Sequence, residues 1–325
     1  MTDKAPKQDA LLIGTDVGGT KVAAGLVDSQ GHIQSQARGP MVTNKGAEAA
    51  LDSVISVLKQ VADAVQQHAF IRGIGICSPG PLDPVTGVVI NPPNLPCWRN
   101  FPLAAEISRL YGVPVKVDND ANAAALAEAR WGAGRGYRNI FYACIGTGIG
   151  TGIVFDGSIY HGRTGAAAEG GHVTIDYRGP RCGCGKLGCV EALASGPAIA
   201  RRAREALSSN SSAHSSMLDL AHGKIDGITS EIVGRAYSAG DPLASKILGE
   251  TIELLSVWLG NTIDLLEPDV IIMGGGVSSM LNPFFPAMHE ELPQHCINSR
   301  CQEIPIVPAF YGQDAGIAGG AALSA

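Results

Sequence analysis

The chain has 325 residues, which is long enough to bury the core of one large domain or of two ordinary ones. Its formal net charge is -6, with no long basic run, which argues against a nucleic-acid-binding surface. Glycine is unusually frequent, at 42 residues or about 13% of the chain, against roughly 7% on average. Because no collagen-like period is present, these glycines indicate tight turns and close approaches of backbone to ligands.

The sequence shows no sign of membrane insertion or export. No stretch of 18 apolar residues could span a bilayer, and residues 1–9 contain no apolar segment typical of a signal peptide. We therefore expect a cytoplasmic protein without membrane contact.

Apolar patterns alternate between strand and helix lengths along the whole chain, which predicts an α/β protein. The predicted strands cover residues 11–15, 21–28, 32–36, 71–77, 113–117 and 270–273. The predicted helices cover residues 47–68 and 121–130 and a stretch around 252–266. The serine-rich segment 208–216 is expected to form an exposed loop.

One sequence pattern occurs twice. Ile13–Gly18 and Ile145–Gly150 share the pattern I-G-T-x-[V/I]-G and start 132 residues apart. In both places a predicted strand enters a glycine turn and another strand leaves it. A duplicated fold with two related halves explains this repeat, and two glycine-rich hairpins by coincidence are the alternative.

Both glycine turns have features of phosphate-binding loops. Asp16–Lys21 is not a P-loop, because Thr20 precedes Lys21 and strands flank the turn. Consecutive backbone N–H groups in tight turns nevertheless bind anions, and the hydroxyls of Thr20 and Thr147 add donors. A carboxylate at Asp16 in such a loop is best explained by Mg²⁺ bound beside phosphate oxygens. Plain β-hairpins are the alternative.

Four of the five residues in Asp118–Asn122 are polar, and the segment lies between a predicted strand and a predicted helix. Helix capping accounts for one such residue, but not for four. Because ligands of α/β sheets bind at the carboxyl ends of strands, a carboxylate here could accept a proton from an attacking hydroxyl.

Three cysteines and one histidine lie close together in the sequence. His172, Cys182, Cys184 and Cys189 form a Cys₃His set suited to structural Zn²⁺, and the intervening glycines allow a tight wrap. Reduced thiols without a metal are the alternative. Glu169 and Glu191 flank this cluster and could accept hydrogen bonds from vicinal sugar hydroxyls, although solvated surface carboxylates would have the same pattern.

Together these segments resemble the ROK family of sugar kinases, within the actin-like ATPase superfamily, over almost the whole chain. The motifs that carry the resemblance are Asp16–Lys21, Ser78–Pro81, Asn119–Asn122, Gly146–Gly150, Glu169–His172, Cys182–Glu191 and Gly274–Gly276. Asn91–Trp98 looks most like the bacterial glucokinase branch. The resemblance implies two α/β domains around a central cleft, which we assign to residues 1–118 with 311–325 and to residues 119–310.

The resemblance also implies roles for individual residues. Asp120 would be the general base toward the sugar 6-hydroxyl. The sugar would be held by Gly80, Asn94, Asn119, Glu169, His172 and Glu191. The phosphates, Mg²⁺ and the adenine nucleotide would be attended by Asp16, Gly18, Gly19, Thr20, Lys21, Thr147, Gly148, Gly275 and Gly276. The zinc ligands would be His172, Cys182, Cys184 and Cys189.

The expected activity is phosphorylation of a hexose by ATP, with glucose as the expected sugar and a homodimer or higher homo-oligomer as the expected assembly. Kinases for N-acetylmannosamine, N-acetylglucosamine or fructose share the same constellation, and a sugar-sensing repressor of the family is a further alternative. Gly170 stands where the family often has isoleucine, and we expect its missing side chain to loosen the sugar pocket.

Overall fold

The computed structural model describes residues 9–65, 69–209 and 215–325, which form a mixed α/β fold in two compact units. The strands of the described residues are β1 (Asp9–Val17), β2 (Lys21–Val27), β3 (Ile33–Pro40), β4 (Ala69–Ser78), β5 (Leu82–Asp83), β6 (Val88–Val89), β7 (Val115–Asn119), β8 (Asn139–Ile145), β9 (Ile149–Phe155), β10 (Ser158–Ile159), β11 (Val270–Gly274) and β12 (Ile306–Pro308). The α-helices are α1 (Ala47–Ala62), α2 (Leu103–Tyr111), α3 (Asp120–Arg130), α4 (Val190–Ala194), α5 (Gly196–Ser209), α6 (Ser216–Leu220), α7 (Ser230–Ser238), α8 (Pro242–Leu266), α9 (Gly276–Leu281), α10 (Phe285–Glu291) and α11 (Ala315–Ser324). Short 3₁₀ helices occur at Gly170–His172, Ile225–Gly227, Asn282–Phe284, Leu292–Gln294, Cys301–Glu303 and Gly312–Asp314.

The first unit contains the described residues up to Arg138, together with Gly152–Ala168 and Phe310–Ala325. Its sheet has the order β3-β2-β1-β4-β7, in which β1, β2 and β3 are antiparallel neighbours and β4 and β7 run parallel to β1. Side chains alternate between the two faces of a strand. Ile13 of β1 therefore joins the core under α1, whereas Leu12 joins the core under α11.

Helix α11 packs unusually close to this sheet. A Cβ on Gly75 of β4 would collide with the backbone oxygen of Gly320, and a Cβ on Gly14 of β1 would collide with that of Ile317. Glycine is required at these positions because backbone meets backbone there. The packing fixes α11, and with it Gly316, beside the carboxyl end of β1.

The second unit contains Asn139–Thr151 and Glu169–Ala309. Its strands β8, β11 and β12 are parallel, and β11 is buried along its whole length. Strand β9 lies on the other side of β8 and continues into the first unit, where its end pairs with β10. The long helix α8 starts after the capping side chain of Asp241 and ends where Glu267 adopts a left-handed backbone, directly before Pro268.

The predicted elements are found, with shifted ends. The predicted helix 47–68 ends at Ala62, and its predicted end at His68 lies outside the described residues. The prediction of an exposed loop at 208–216 is wrong at both ends of that range. Residues 210–214, in its middle, lie outside the described residues. Ser208 belongs to α5, and Ser215 is buried because its hydroxyl caps α6 and bonds to Asp241.

The compact units differ from the predicted division at residues 118 and 119. Helix α3 packs against α11 and β7, so it belongs to the first unit rather than to the second. The segment Gly152–Ala168 also belongs to the first unit, because its strand β10 packs against α3. Within the described ranges, no helix combines the length and the apolar character needed to cross a bilayer.

Candidate active site

The predicted site residues are divided between the two units. The first unit carries Asp16, Gly18, Gly19, Thr20, Lys21, Gly80, Asn94, Asn119 and Asp120. The second unit carries Thr147, Gly148, Glu169, His172, Cys182, Cys184, Cys189, Glu191, Gly275 and Gly276.

The first glycine turn connects β1 and β2. The Gly18 N–H donates to the Lys21 carbonyl at 2.9 Å, which closes the turn and leaves the Thr20 and Lys21 side chains exposed. A Cβ on Gly19 would lie only 2.6 Å from the carbonyl oxygen of Asn94, so the turn and the loop around Asn94 are in contact. The structure thus brings a predicted phosphate residue next to a predicted sugar residue.

Asp16 lies at the carboxyl end of β1, directly against Gly316, where there is no room for a larger residue. Burial and the nearby charge of Asp120 raise the pKa of the Asp16 carboxyl, while Lys21 and Arg38 oppose that shift. Two carboxylates are therefore close enough to interact, an arrangement that a divalent cation would stabilise.

Asp120 is the first residue of α3, directly after β7. Asn119, and not Asp120, caps this helix: its Oδ1 accepts the N–H groups of Ala121 at 2.9 Å and Asn122 at 3.4 Å. The Asp120 side chain reaches solvent, yet the surrounding protein withdraws water from its carboxyl and raises its pKa. A carboxylate with a raised pKa binds a proton more readily, as a general base requires.

A histidine that sequence reasoning missed lies beside this segment. The Nε2 atom of His161 is 2.6 Å from Oδ2 of Asp118, which is almost completely buried. No motif in the sequence pairs these two residues, which lie 43 positions apart.

The second glycine turn connects β8 and β9. The Gly146 N–H donates to the Gly148 carbonyl at 2.9 Å, and the Gly146 carbonyl accepts the Gly196 N–H at 2.9 Å. A Cβ on Gly148 would lie 2.6 Å from Oε2 of Glu191, so a larger residue there would push the Glu191 carboxylate aside. Gly275 has φ 90° and lies directly against the backbone of β8, which joins the third glycine segment to this turn.

A cavity of about 860 Å³ opens beside this turn, within the second unit. Gly146, Thr147 and Gly276 line it, and the first residues of α5, helix α7 and helix α9 supply the other walls. Of the predicted nucleotide residues in this unit, Thr147 and Gly276 border the cavity, whereas Gly148 and Gly275 lie next to its lining. The volume is within the usual range for a ligand site.

The four predicted zinc ligands converge. The ligand atoms of His172, Cys182, Cys184 and Cys189 all lie within 4.8 Å of one another. Cys182 Sγ is 3.6 Å from His172 Nδ1, and Cys184 Sγ is 3.7 Å from Cys189 Sγ. A tetrahedron with zinc–sulfur bonds of about 2.3 Å has edges of about 3.8 Å, so the four atoms fit a tetrahedral zinc ion.

Glu169 and Glu191 differ in their surroundings. Glu169 is exposed and directly precedes the 3₁₀ helix that carries His172. Glu191 is partly buried, accepts the Ile149 N–H at 2.9 Å through Oε2, and places Oε1 3.8 Å from His172 Nδ1. The second carboxylate therefore contacts both the glycine turn and the Cys₃His cluster.

The structure leaves little room for a side chain at Gly170, whereas the expected loosening of the sugar pocket stays a prediction. A Cβ on Gly170 would lie 2.7 Å from Thr151 Oγ1, and this oxygen also accepts the Gly170 N–H at 2.8 Å. The Gly170 carbonyl accepts the Trp258 indole N–H at 3.1 Å. Thr151 thus fills the space that a side chain at position 170 would occupy.

Comparisons with known proteins identify the family of the chain and its fold. The ROK family model matches residues 12–325. The glucokinase of Thermotoga maritima is 34% identical over 312 residues, which are 96% of each chain, and that of Streptomyces coelicolor is 33% identical over 315 residues, 97% of each chain. The crystal structure of a ROK family glucokinase from Streptomyces griseus in complex with glucose and AMPPNP has a TM-score of 0.80 at 34% identity, over 96% of this chain and 98% of that one. These likenesses confirm the predicted actin-like ATPase fold, and the chain belongs to the ROK family.

Proposed function

We propose that this protein is an ATP-dependent hexose kinase that converts glucose to glucose 6-phosphate. The observation that carries the proposal is Asp120, a solvent-accessible carboxylate with a raised pKa at the carboxyl end of β7. The likeness of this chain to glucokinases over nearly its full length supports glucose as the sugar.

In the proposed reaction, Asp120 accepts the proton of the sugar 6-hydroxyl while that oxygen attacks the γ-phosphorus of ATP. The new bond joins O6 to the γ-phosphorus, and the bond from this phosphorus to the bridging oxygen breaks, so ADP leaves with the electron pair. Because phosphoryl transfer needs positioning and charge neutralisation more than covalent catalysis, the base must be held accurately.

The sugar would be held by polar side chains and by backbone that lines its pocket. We assign its hydroxyl contacts to Asn119, Glu169, His172 and Glu191, with Gly80 and Asn94 lining the same pocket. His172 presents Nδ1 to the cysteine cluster, which leaves Nε2 for a sugar hydroxyl. Glu191 has one oxygen engaged by Ile149, so Oε1 is the atom we assign to the sugar.

The nucleotide would occupy the 860 Å³ cavity of the second unit, with Thr147, Gly148, Gly275 and Gly276 near its phosphates and nucleoside. Asp16, Gly18, Gly19, Thr20 and Lys21 would attend the phosphates on the first unit. Mg²⁺, when bound near Asp16, would neutralise phosphate charge during transfer.

A structural zinc ion would be held by His172, Cys182, Cys184 and Cys189. With zinc bound, the His172 ring and the short helix that follows Glu169 would be fixed in orientation. We also propose a cytoplasmic location and a homo-oligomeric state, on the grounds of family membership.

A panel of sugars with coupled detection of ADP tests this function. Glucose should give the highest kcat/KM, ahead of N-acetylmannosamine, N-acetylglucosamine and fructose. Repeating the glucose assay with polyphosphate in place of ATP measures which phosphate donor the enzyme uses.

The Asp120→Asn variant should lose at least about 100-fold in kcat. Asp63→Asn is the matched control, because Asp63 is an exposed aspartate of the same unit that forms a surface ion pair with Lys59. A preference for an N-acetylated sugar would contradict the assignment of glucose, and an active Asp120→Asn enzyme would contradict the assigned base.

A further inference from the structure

The carboxyl group of Asp118 is the centre of a buried polar network at the end of β7. Only 5% of its side chain is exposed, so its negative charge needs compensation from protein groups. Oδ1 accepts the Asn119 N–H at 2.7 Å and the Asn122 side-chain N–H at 3.1 Å. Oδ2 lies 2.6 Å from His161 Nε2. Among the described residues, His161 is the basic side chain that contacts Asp118 directly and can carry a compensating charge.

This network leads directly to the assigned base. The peptide N–H that Asp118 holds belongs to Asn119, the residue immediately before Asp120. The side chain of Asn119 in turn caps α3 by accepting the Ala121 N–H. The backbone on both sides of Asp120 is thus fixed: Asp118 holds the N–H of the preceding residue, and Asn119 holds the N–H of the following one.

The charges around the site favour a cation at His161. Asp16, Asp118 and Asp120 all act electrostatically on the buried thiol of Cys77, so three carboxylates converge near the carboxyl ends of neighbouring strands. Lys21 and Arg38 offset the charge of Asp16, and His161 faces Asp118. A triphosphate approaching this region adds further negative charge, which an ion-paired Asp118 repels less than an unpaired one.

We propose that His161 is a positioning residue for phosphoryl transfer, which holds the turn of Asp120 in place through the buried carboxylate of Asp118. This inference rests on the proposed function. Loss of the imidazolium would leave Asp118 as a buried charge without its counterion, and the carboxylate would then turn towards other polar groups or solvent. This movement weakens its hold on the Asn119 N–H and displaces Asp120.

The experiment compares His161→Gln, Asp118→Asn and the double variant with the wild type. His161→Gln should lower kcat about 10- to 100-fold, as small displacements of a catalytic group do, with a smaller change in the KM for ATP. The double variant should recover part of that loss, because a neutral amide at position 118 no longer needs a counterion. His32→Gln is the matched control, since His32 pairs with Asp28 in the same unit, at the far end of β2 from the glycine turn.

The pH profile separates positioning from simple stability. The hydrogen bond to Asp118 raises the pKa of His161 above its ordinary value of 6.5. The kcat of the wild type should fall as the pH rises through that pKa, and His161→Gln should lack this fall. A proton NMR titration of the ring should show the raised pKa in the wild type and a lower one in Asp118→Asn, whether or not the variants are active.

Three results would overturn the role of His161: a kcat of His161→Gln within twofold of the wild type, an alkaline fall that persists in this variant, or a His161 pKa unaffected by Asp118→Asn. A wild-type chain that phosphorylates no sugar would overturn the proposed function instead, and the NMR titration would still report on the pair.

Discussion

The Glu191 carboxylate accepts a hydrogen bond from the Ile149 N–H at 2.9 Å, and so ties the second glycine turn to the segment that follows the cysteines. Its other oxygen lies 3.7 Å from Cys182 Sγ. One side chain therefore joins the turn beside the cavity to the candidate zinc cluster.

Replacing Glu191 should disturb both the second glycine turn and the candidate zinc cluster. Glu191→Ala leaves the buried Ile149 N–H without its acceptor, at a cost of about 1–3 kcal/mol, and should raise the KM for both ATP and glucose. Glu191→Gln keeps an acceptor oxygen and should retain most of the stability while weakening sugar binding. Thermal unfolding and steady-state kinetics measure these effects. Glu205→Ala, at an exposed residue paired with Arg201, is the control, and an unchanged KM for both substrates in Glu191→Ala would contradict the prediction.

The pH dependence of kcat should report the ionisation of Asp120. The surrounding protein withdraws water from the Asp120 carboxyl and so raises its pKa above the ordinary value of 3.8. Below the raised pKa the carboxyl is protonated and cannot accept the proton of the sugar hydroxyl, so kcat falls as the pH falls through it. Measurements of kcat in overlapping buffers, with unfolding followed at each pH, determine this fall of kcat at low pH. A plateau that extends to the ordinary aspartate range would argue against Asp120 as the base.

The pair of His161 and Asp118 should also affect stability. Because the folded-state pKa of His161 is raised, its stabilising contribution is fully present below the unfolded value of 6.5 and is lost as the pH rises through the folded value. The difference in the free energy of unfolding between wild type and His161→Gln should therefore shrink from pH 6 to pH 9. A constant difference over that window would mean that the imidazolium is not responsible.

Removal of the metal should weaken sugar binding. Elemental analysis of the purified protein should find about one zinc ion per chain. A strong chelator should then lower Tm and raise the KM for glucose, because His172 would lose its fixed orientation. Cys184→Ser should act in the same direction, with Cys97→Ser as a control outside the cluster. A zinc-free protein with full activity would refute the Cys₃His assignment.

Substitution of Gly170 should destabilise the protein through Thr151. In Gly170→Ala the new methyl group would lie 2.7 Å from Thr151 Oγ1, which is buried and bonded to the backbone. We expect a lower Tm and a lower affinity for sugar, because Glu169 and His172 flank this position. Combining Gly170→Ala with Thr151→Ala should relieve the clash, although it loses the hydrogen bond. A single variant as stable as the wild type would show that Thr151 can move aside.

Local patterns in the sequence predicted many of the strands, three of the α-helices and the grouping of the candidate zinc ligands. Short-range periodicity determines which face of an element is apolar, and the ligands Cys182, Cys184 and Cys189 lie within one loop. The spacing of the residues in Asp118–Asn122 likewise placed a polar cluster at a strand end. Family resemblance then supplied the kinase function, since turns alone do not identify a reaction.

Contacts between distant parts of the chain were decided only by the tertiary structure. His161 contacts Asp118 although 43 positions separate them, and Gly170 contacts Thr151 because the 3₁₀ helix at Gly170–His172 packs on strand β9 in the second unit. Helix α3 joins the first unit through its packing on α11, which no local pattern near residue 118 records. Periodicity describes which side of an element is buried, whereas the identity of its partner depends on how the elements pack.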